Sequence, residues 1–172
     1  MAHRSSDRRT LPEQVDYMGQ LTAQFPIPTY RVAYTASGNT LAASVIEDSA
    51  GVIEHKLYWA PVQTREEANY LAAILNAPAL TKLVRPFQSV GAFGPRDFDK
   101  YVWQAPIPLF DRDSDLHKNL AELGAQAAQV AREVDVPVGE RFQATRGRIR
   151  ETLKRAGLDK ALSAALESLI SP

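Results

Sequence analysis

The 172-residue sequence predicts an α+β fold, in which a small antiparallel β-meander packs with two helices and is followed by a C-terminal helical hairpin or three-helix tail. The first observation behind this prediction is a set of three strand-like runs between residues 30 and 60, separated by turn-forming residues. The second is that the apolar residues from Ser114 onward recur every three or four positions, which is the period of an α-helix.

The predicted strands cover residues 30–34, 40–46 and 52–60. The turn-forming stretches between them, residues 37–39 and 48–51, contain glycine together with Asn or Asp. Glycine and asparagine readily adopt the backbone conformations that close a β-hairpin. Each strand is therefore expected to pair with the next one along the chain, as in a meander.

Two helices are predicted after the strands. Thr64 and Glu67 match a capping box, in which the threonine and the residue three positions later satisfy the first free N–H groups of a helix. Pro78 is placed to open the second helix, because a proline at the first helical position lacks only an N–H that would be unbonded anyway. A glycine-containing loop at residues 88–95 follows, and residues 96–103 are expected to form a short helix or an irregular turn.

Up to three helices are predicted in the C-terminal part of the chain. Pro137 and Gly139 interrupt the first, and Gly157 separates the second from the third. The chain is thus expected to have three parts, which are a polar N-terminal segment at residues 1–24, an α/β DNA-recognition-like domain at residues 25–110 and a helical tail at residues 111–172.

Composition excludes several functional classes. The chain has no cysteine, which removes disulfides, thiolate metal sites and a cysteine nucleophile. No apolar run reaches the roughly 20 residues that a membrane-spanning helix needs, and no secretory signal is recognisable. A soluble, cytoplasmic protein without a membrane partner is therefore expected.

Charge is balanced over the whole chain but not along it. The 20 basic side chains of Lys and Arg equal the 20 acidic ones, for a formal net charge of zero. Residues 111–140 carry seven acids and three bases, whereas residues 141–160 carry seven bases and two acids. A basic face of this kind suits phosphate or an acidic partner. The other interpretation is that an acidic helix and a basic helix pair with each other.

No established catalytic motif is recognisable in the sequence. It lacks the glycine-rich loops that hold phosphates, the G-x-S-x-G turn of serine hydrolases and the H-E-x-x-H motif of zinc proteases. One enzymatic alternative is a metal-dependent nuclease built from Asp48, Glu54 and Lys56. Because side chains alternate along a strand, Glu54 and Lys56 are expected on one face of the third strand. No other metal site is predicted, since the three histidines are scattered.

Residues suited to nucleic acid are better represented. Side chains that bond phosphates or base edges bracket the glycine-containing loop, namely Arg85, Gln88, Ser89, Arg96 and Lys100. Lys56 is a further candidate for DNA binding. The helical tail adds three candidate phosphate contacts, which are Arg146, Arg148 and Arg150. Three aromatic residues of the same region are expected in the core instead, namely Tyr58, Trp59 and Trp103.

The order of several segments resembles a known family. The segments are RVAYTASGNTLAASVI at residues 31–46, LYWA at 57–60, YLAAILNAP at 70–78, RPFQSVGAFGPRDFDK at 85–100 and APIPLF at 105–110. In this order they resemble the C-terminal target-recognition region of class I N6-adenine DNA methyltransferases of restriction–modification systems. The resemblance lies in the order of the segments rather than in any single motif.

This resemblance implies a non-catalytic module that recognises double-stranded DNA, either as a fragment or as a subunit acting in trans. In the family, a separate Rossmann-like domain binds S-adenosylmethionine and methylates adenine. The family's catalytic [DN]-P-P-[YF] motif is absent here, and the chain is too short to hold both domains. We therefore expect no cofactor and no catalysis on this chain, and a methyltransferase catalytic subunit as a partner. An alternative of another class is a protein-interaction module that docks through the helical tail.

Overall fold

The computed structural model of the chain describes residues 10–54, 56–91, 94–95 and 97–171. A short helix, α1, covers Leu11–Val15, and the strands follow it in the first half of the chain. From Asp115 onward the described chain is helical apart from short connections. The α+β class with a C-terminal helical tail is therefore confirmed.

Three antiparallel strands form the main sheet, namely β1 at Tyr30–Thr35, β2 at Ala43–Ile46 and β3 at Leu57–Val62. Their order in the sheet is β2-β1-β3, so the first strand is central. The predicted meander order is wrong, because it places the second strand in the centre. All four residues 31–34 of β1 are buried, and the central position pairs the backbone of this buried strand on both sides.

The third strand differs from its predicted range of 52–60. It begins only at Leu57 and continues through Pro61, which is tolerated because an edge strand needs no N–H on its outer side. Ile53, expected near the start of the strand, is instead bonded to the side chain of Gln24. Nε2 of Gln24 donates to the Ile53 carbonyl at 2.7 Å, and the Ile53 N–H donates back to Oε1 at 2.8 Å. The Gln24 amide thus takes the place of a neighbouring strand.

Two helices follow the sheet, as predicted, with α2 at Arg65–Asn76 and α3 at Pro78–Val84. Oγ1 of Thr64 accepts from the Glu67 N–H at 3.1 Å, which is the first half of the predicted capping box. The Glu67 carboxylate accepts from the N–H of Gln63, at 2.7 Å. Helix α2 packs against all three strands and against helices of the tail, so it lies at the centre of the core.

Three helices form the C-terminal part of the chain, namely α4 at Asp115–Arg132, α5 at Phe142–Arg155 and α6 at Leu158–Ile170. Gly157 separates α5 from α6 as predicted, with the left-handed φ of 75° that glycine permits. Helix α4 packs along α2, and α6 packs on α3 and α4. One buried apolar cluster runs from Val32 of the sheet to Leu166 of α6. Among the helices that the structure describes, none is long and apolar enough to cross a membrane.

Tyr70 of α2 and His117 of α4 fasten the connection that leads into the tail. The Tyr70 hydroxyl donates to the Pro108 carbonyl at 2.9 Å, and its ring centroid lies 4.8 Å from that of His117. Nδ1 of His117 accepts from the Asp111 N–H at 2.9 Å, so this nitrogen carries no proton. Residues 108–111 are therefore held between two helices of the core.

Replacing Tyr70 with phenylalanine is expected to lower the free energy of unfolding by about 1 kcal/mol at neutral pH, because the bond to the Pro108 carbonyl is lost. Burial raises the pKa of Tyr70 to about 12, from an ordinary value of 10.0. The wild-type protein therefore loses stability as the pH rises from about 10 toward 12, since the unfolded chain releases this proton more readily. Urea denaturation at neutral pH and at about pH 11 should show the difference between the two proteins shrinking. A constant difference would contradict this explanation.

Candidate nucleic-acid interface

Part of the predicted site lies at one end of the main sheet, where β1 ends and β2 and β3 begin. Thr35 of β1 pairs with Leu57 of β3, so Lys56 lies beside the end of β1. The β1–β2 turn at residues 36–42 leaves from the same point. We call this region, together with residues 85–91 that are bonded to the turn, the loop end of the sheet.

The segment that follows α3 is fastened to the β1–β2 turn by side chains. Nη2 of Arg85 donates to the Asn39 carbonyl at 2.8 Å, and Nε2 of Gln88 donates to the Gly38 carbonyl at 3.3 Å. The N–H of Phe98 also donates into the turn, at 2.8 Å. These bonds bring residues from distant parts of the sequence onto one surface.

The predicted contacts at the loop end differ in exposure. Lys56, Arg85 and Ser89 are exposed, whereas Gln88 is only 5% exposed. Oε1 of Gln88 is buried without a hydrogen-bond partner among the described residues, and its Nε2 is bonded to the turn. Gln88 therefore supports the loop in this structure rather than facing solvent.

Two further predicted contacts lie wholly or partly outside the described residues. Arg96 is not described, and Lys100 is described only in its backbone, within the 3₁₀-helix Asp99–Gln104. The described part of the predicted glycine-containing loop contains two short antiparallel strands, β4 at Val90–Gly91 and β5 at Gly94–Pro95. The site at the loop end therefore rests on Lys56, Arg85 and Ser89.

Two aromatic residues that were expected in the core are half exposed near the loop end. Tyr58 of β3 is 37% exposed and Trp103 is 45% exposed, whereas Tyr34, which contacts both rings, is only 3% exposed. The expectation of a core position is therefore wrong for Tyr58 and Trp103, while Trp59 is partly buried. Tyr58 is half exposed because β3 is an edge strand. Trp103 lies in the short 3₁₀-helix, with its indole N–H bonded to the Tyr34 hydroxyl at 3.0 Å.

A second basic surface lies on α5, a 14-residue helix without a buried residue. Arg146, Arg150 and Lys154 follow one another at four-residue spacing, which places them on one face at steps of about 6 Å. None of the three has an ion-pair partner among the described residues. We call these three side chains the α5 cation row.

The positive charges of the α5 cation row affect one another. Partial burial, and after it the charge of Arg150, lowers the pKa of Arg146. The Arg146 guanidinium carbon lies 5.4 Å from the centroid of the Phe142 ring, a cation–π contact that orients the side chain. An arginine stays protonated at neutral pH in spite of such a shift. The row therefore presents positive charge that no described acid neutralises.

Arg148, another predicted phosphate contact of the tail, is bonded within its own chain instead. It pairs with the Glu140 carboxylate, and its Nη1 donates to the Asp135 carbonyl at 2.7 Å. Both partners lie in the connection between α4 and α5. Lys154, which the sequence reasoning missed, belongs to the exposed row in place of Arg148. The available signal was its spacing, because a helix face repeats at three or four residues and not at two.

Replacing Arg148 with methionine is expected to lower the free energy of unfolding by about 1 kcal/mol, because the connection between α4 and α5 loses two bonds. The effect stays small because the arginine side chain is 39% exposed. Thermal denaturation measures the effect, and Arg150→Met is the matched control, with an expected change of within about 0.5 kcal/mol. Equal losses in the two variants would show that the pairing of Arg148 is unimportant.

Helices α4 and α5 are not joined by an ion pair in the part of the chain that the structure describes. The pairs found on these helices are Lys118 with Asp115 within α4, Arg155 with Glu151 within α5, and Arg148 of α5 with Glu140 of the preceding connection. Direct pairing between an acidic and a basic helix therefore does not explain the asymmetry of charge.

The predicted nuclease group does not have the geometry expected of it. Because β3 begins at Leu57, Glu54 and Lys56 precede the strand and do not share one of its faces. Oδ1 of Asp48 accepts from the Ala50 N–H at 2.8 Å, and Oε2 of Glu54 accepts from the Lys56 N–H at 3.0 Å. No group of three or more His, Asp or Glu side chains among residues with a described position is placed to hold a metal ion.

No protein-family model, curated protein or solved structure matches the chain. The resemblance to a target-recognition region therefore stays a prediction from the sequence. Two surfaces of the described chain carry the cations that bear on function, the loop end and the α5 cation row.

Proposed function

We propose that this chain binds double-stranded DNA as a non-catalytic target-recognition module. The observation that carries the proposal is the α5 cation row, three positive side chains without an acidic partner among the described residues, on a helix in which no residue is fully buried. Exposed cations at regular spacing contact the phosphates of a duplex and release its condensed counterions, which favours binding at low salt.

Other cations of the tail provide a contrast with the α5 cation row. Arg148, Arg155 and Lys118 each have an acidic partner among the described residues, so part of their charge is already neutralised. Burial and, after it, the positive charge of Arg150 lower the pKa of Arg146, so the two arginines repel each other. A phosphate placed between them would offset this repulsion, because a nearby negative charge favours the protonated form.

The loop end of the sheet supplies groups of a different kind. Lys56, Arg85 and Ser89 offer exposed donors, but the acids Glu54 and Asp97 are exposed at the same end. A surface of mixed sign attracts a polyanion weakly and discriminates through individual hydrogen bonds. We therefore assign phosphate binding to the α5 cation row and local recognition of the duplex to the loop end.

We do not propose that this chain itself methylates DNA. The sequence has no [DN]-P-P-[YF] motif, so adenine methylation and the binding of S-adenosylmethionine are assigned to a separate catalytic domain or subunit. The proposed partners are thus double-stranded DNA and a methyltransferase catalytic subunit, and no cofactor or metal is assigned to this chain.

A second candidate function is a protein-interaction module that docks through the tail. The observation in its favour is that Val136, Val138 and Phe142 expose apolar side chains at the start of α5. Such residues are typical of protein-binding surfaces when they are contiguous. Salt separates the two candidates, because apolar docking persists at salt concentrations that release a duplex.

Fluorescence anisotropy with a labelled, mixed-sequence duplex tests the proposal on the full chain. If at least six phosphates are contacted, the affinity should fall by about a thousandfold or more between about 50 and 200 mM salt. The control is the same titration with the duplex at high salt, followed by dilution to restore binding. Absence of binding at low ionic strength would rule out the proposed function.

A further inference from the structure

We propose that Trp103 and Tyr58 form a stacking site for an unpaired nucleobase near the loop end of the sheet. The inference rests on the proposed function, since the base belongs to the DNA that the chain binds. It adds a ligand class that neither the cation row nor the predicted contacts supply. The starting observation is that both rings, expected in the core, are half exposed.

Trp103 is held in a defined orientation by Tyr34. Its indole N–H donates to the Tyr34 hydroxyl at 3.0 Å, and the two rings meet edge to face, with centroids 5.8 Å apart and planes 82° apart. Tyr34 itself is buried in the core cluster. Because the polar N–H is bonded internally, Trp103 presents apolar ring surface to solvent without needing a further hydrogen-bond partner.

Tyr58 lies on β3, which pairs with β1, the strand that carries Tyr34. It is paired with Tyr34 in the register of β1 and β3, and the two ring centroids are 5.6 Å apart at an angle of 34°. β3 is an edge strand, so no further strand lies beyond it in the described sheet. The buried Tyr34 thus supports two half-exposed aromatic rings, whose positions are fixed before any ligand binds.

The surroundings of the two rings favour a nucleobase over a purely apolar ligand. Lys56 lies two residues before Tyr58 and is exposed, and the donors Arg85 and Ser89 lie at the same end of the sheet. Aromatic rings beside cations are the combination that binds unpaired nucleotides, with the base stacked on a ring and the phosphate near the cation. A base inside an intact duplex has both faces covered by its neighbours. The ligand is therefore a base that is bulged or mismatched.

Tryptophan fluorescence provides a direct measurement of this contact. The chain contains two tryptophans, so Trp59→Phe leaves Trp103 as the single reporter. This variant is titrated with a fully paired duplex and with the same duplex carrying one bulged adenine. We expect the bulged duplex to quench Trp103 and to bind about tenfold more tightly than the paired one.

Substitutions separate stacking from folding. Trp103→Leu and Tyr58→Leu should each reduce the preference for the bulged duplex while leaving the affinity for the paired duplex unchanged. Trp103→Phe keeps an aromatic ring but loses the bond to Tyr34, and it should retain most of the preference. Phe25→Leu is the matched control, because it removes an exposed aromatic ring that precedes β1, away from the loop end, and it should leave the preference intact.

The outcomes distinguish this inference from the proposed function. Binding of the paired duplex, with no tighter binding and no quenching by the bulged one, would overturn the stacking site and leave DNA binding in place. A preference that survives in Trp103→Leu and Tyr58→Leu would also overturn it. If neither duplex binds at low salt, the proposed function fails and the stacking site fails with it.

Discussion

Replacing Gly124 with alanine is expected to lower the free energy of unfolding by about 3 kcal/mol. Gly124 lies where α4 crosses α2, and a Cβ built there would be 2.2 Å from the Asn69 carbonyl oxygen and 3.1 Å from the Ala73 Cβ. The first distance is far below a van der Waals contact, and its atom belongs to a helix backbone that cannot rotate away. The two helices would have to separate, which would open the core between them.

Gly147 on α5 provides the matched control for Gly124. No heavy atom lies within 4 Å of a Cβ built at this position. Alanine should therefore raise the free energy of unfolding by about 0.5–1 kcal/mol, since glycine inside a helix costs conformational entropy. Urea denaturation of both variants checks the pair of predictions. Similar changes in the two variants would show that the close approach of α2 and α4 does not limit residue 124.

Replacing all three residues of the α5 cation row with glutamine is expected to reduce the affinity for duplex DNA at low salt on the order of 100-fold. A cation and a phosphate about 4 Å apart in water attract each other by about 1 kcal/mol, so three such contacts multiply to this factor. The loss should be the same for different DNA sequences, because phosphate contacts carry no sequence information. Fluorescence anisotropy at fixed low salt measures it.

The triple variant has a control that removes a cation elsewhere on the tail. Lys118 on α4 is exposed and already paired with Asp115, so Lys118→Gln should change the affinity little. Circular dichroism should show unchanged helix content in the triple variant, because the row has no ion pair among the described residues and no residue of α5 is fully buried. If Lys118→Gln lowered the affinity as much as the triple variant does, the loss would reflect the total charge of the protein rather than the α5 cation row.

Local signals in the sequence predict the helices well. Pro78 opens α3, and Gly157 ends the helix before it, because each residue acts on the backbone within one turn of chain. The order of the strands depends on burial, which is a property of the assembled fold. Arg31 is fully buried in the central strand, where its Nη2 donates to the Asp48 carbonyl at 2.5 Å. A strand with a charged residue at this position gives no sequence signal that it is the central one.

The candidate site could be predicted in residue type but only partly in position. Arg85 and Gln88 lie three residues apart and both donate to carbonyl groups of the β1–β2 turn, yet Arg85 is exposed and Gln88 is only 5% exposed. Trp103 is half exposed, and its indole N–H donates to the hydroxyl of Tyr34, 69 residues earlier in the sequence. Contacts between residues so far apart in the sequence depend on tertiary structure, and no local sequence pattern predicts them.

Whether the α5 cation row binds duplex phosphates is decided by the salt dependence of affinity, measured side by side for the wild-type protein and the triple glutamine variant. The logarithm of the binding constant should fall linearly with the logarithm of salt concentration in both, with a slope smaller by about 2.7 in the variant. The ratio of the two affinities should then shrink about 40-fold between about 50 and 200 mM salt. Parallel lines, or no binding by the wild-type protein at low salt, would contradict the assignment.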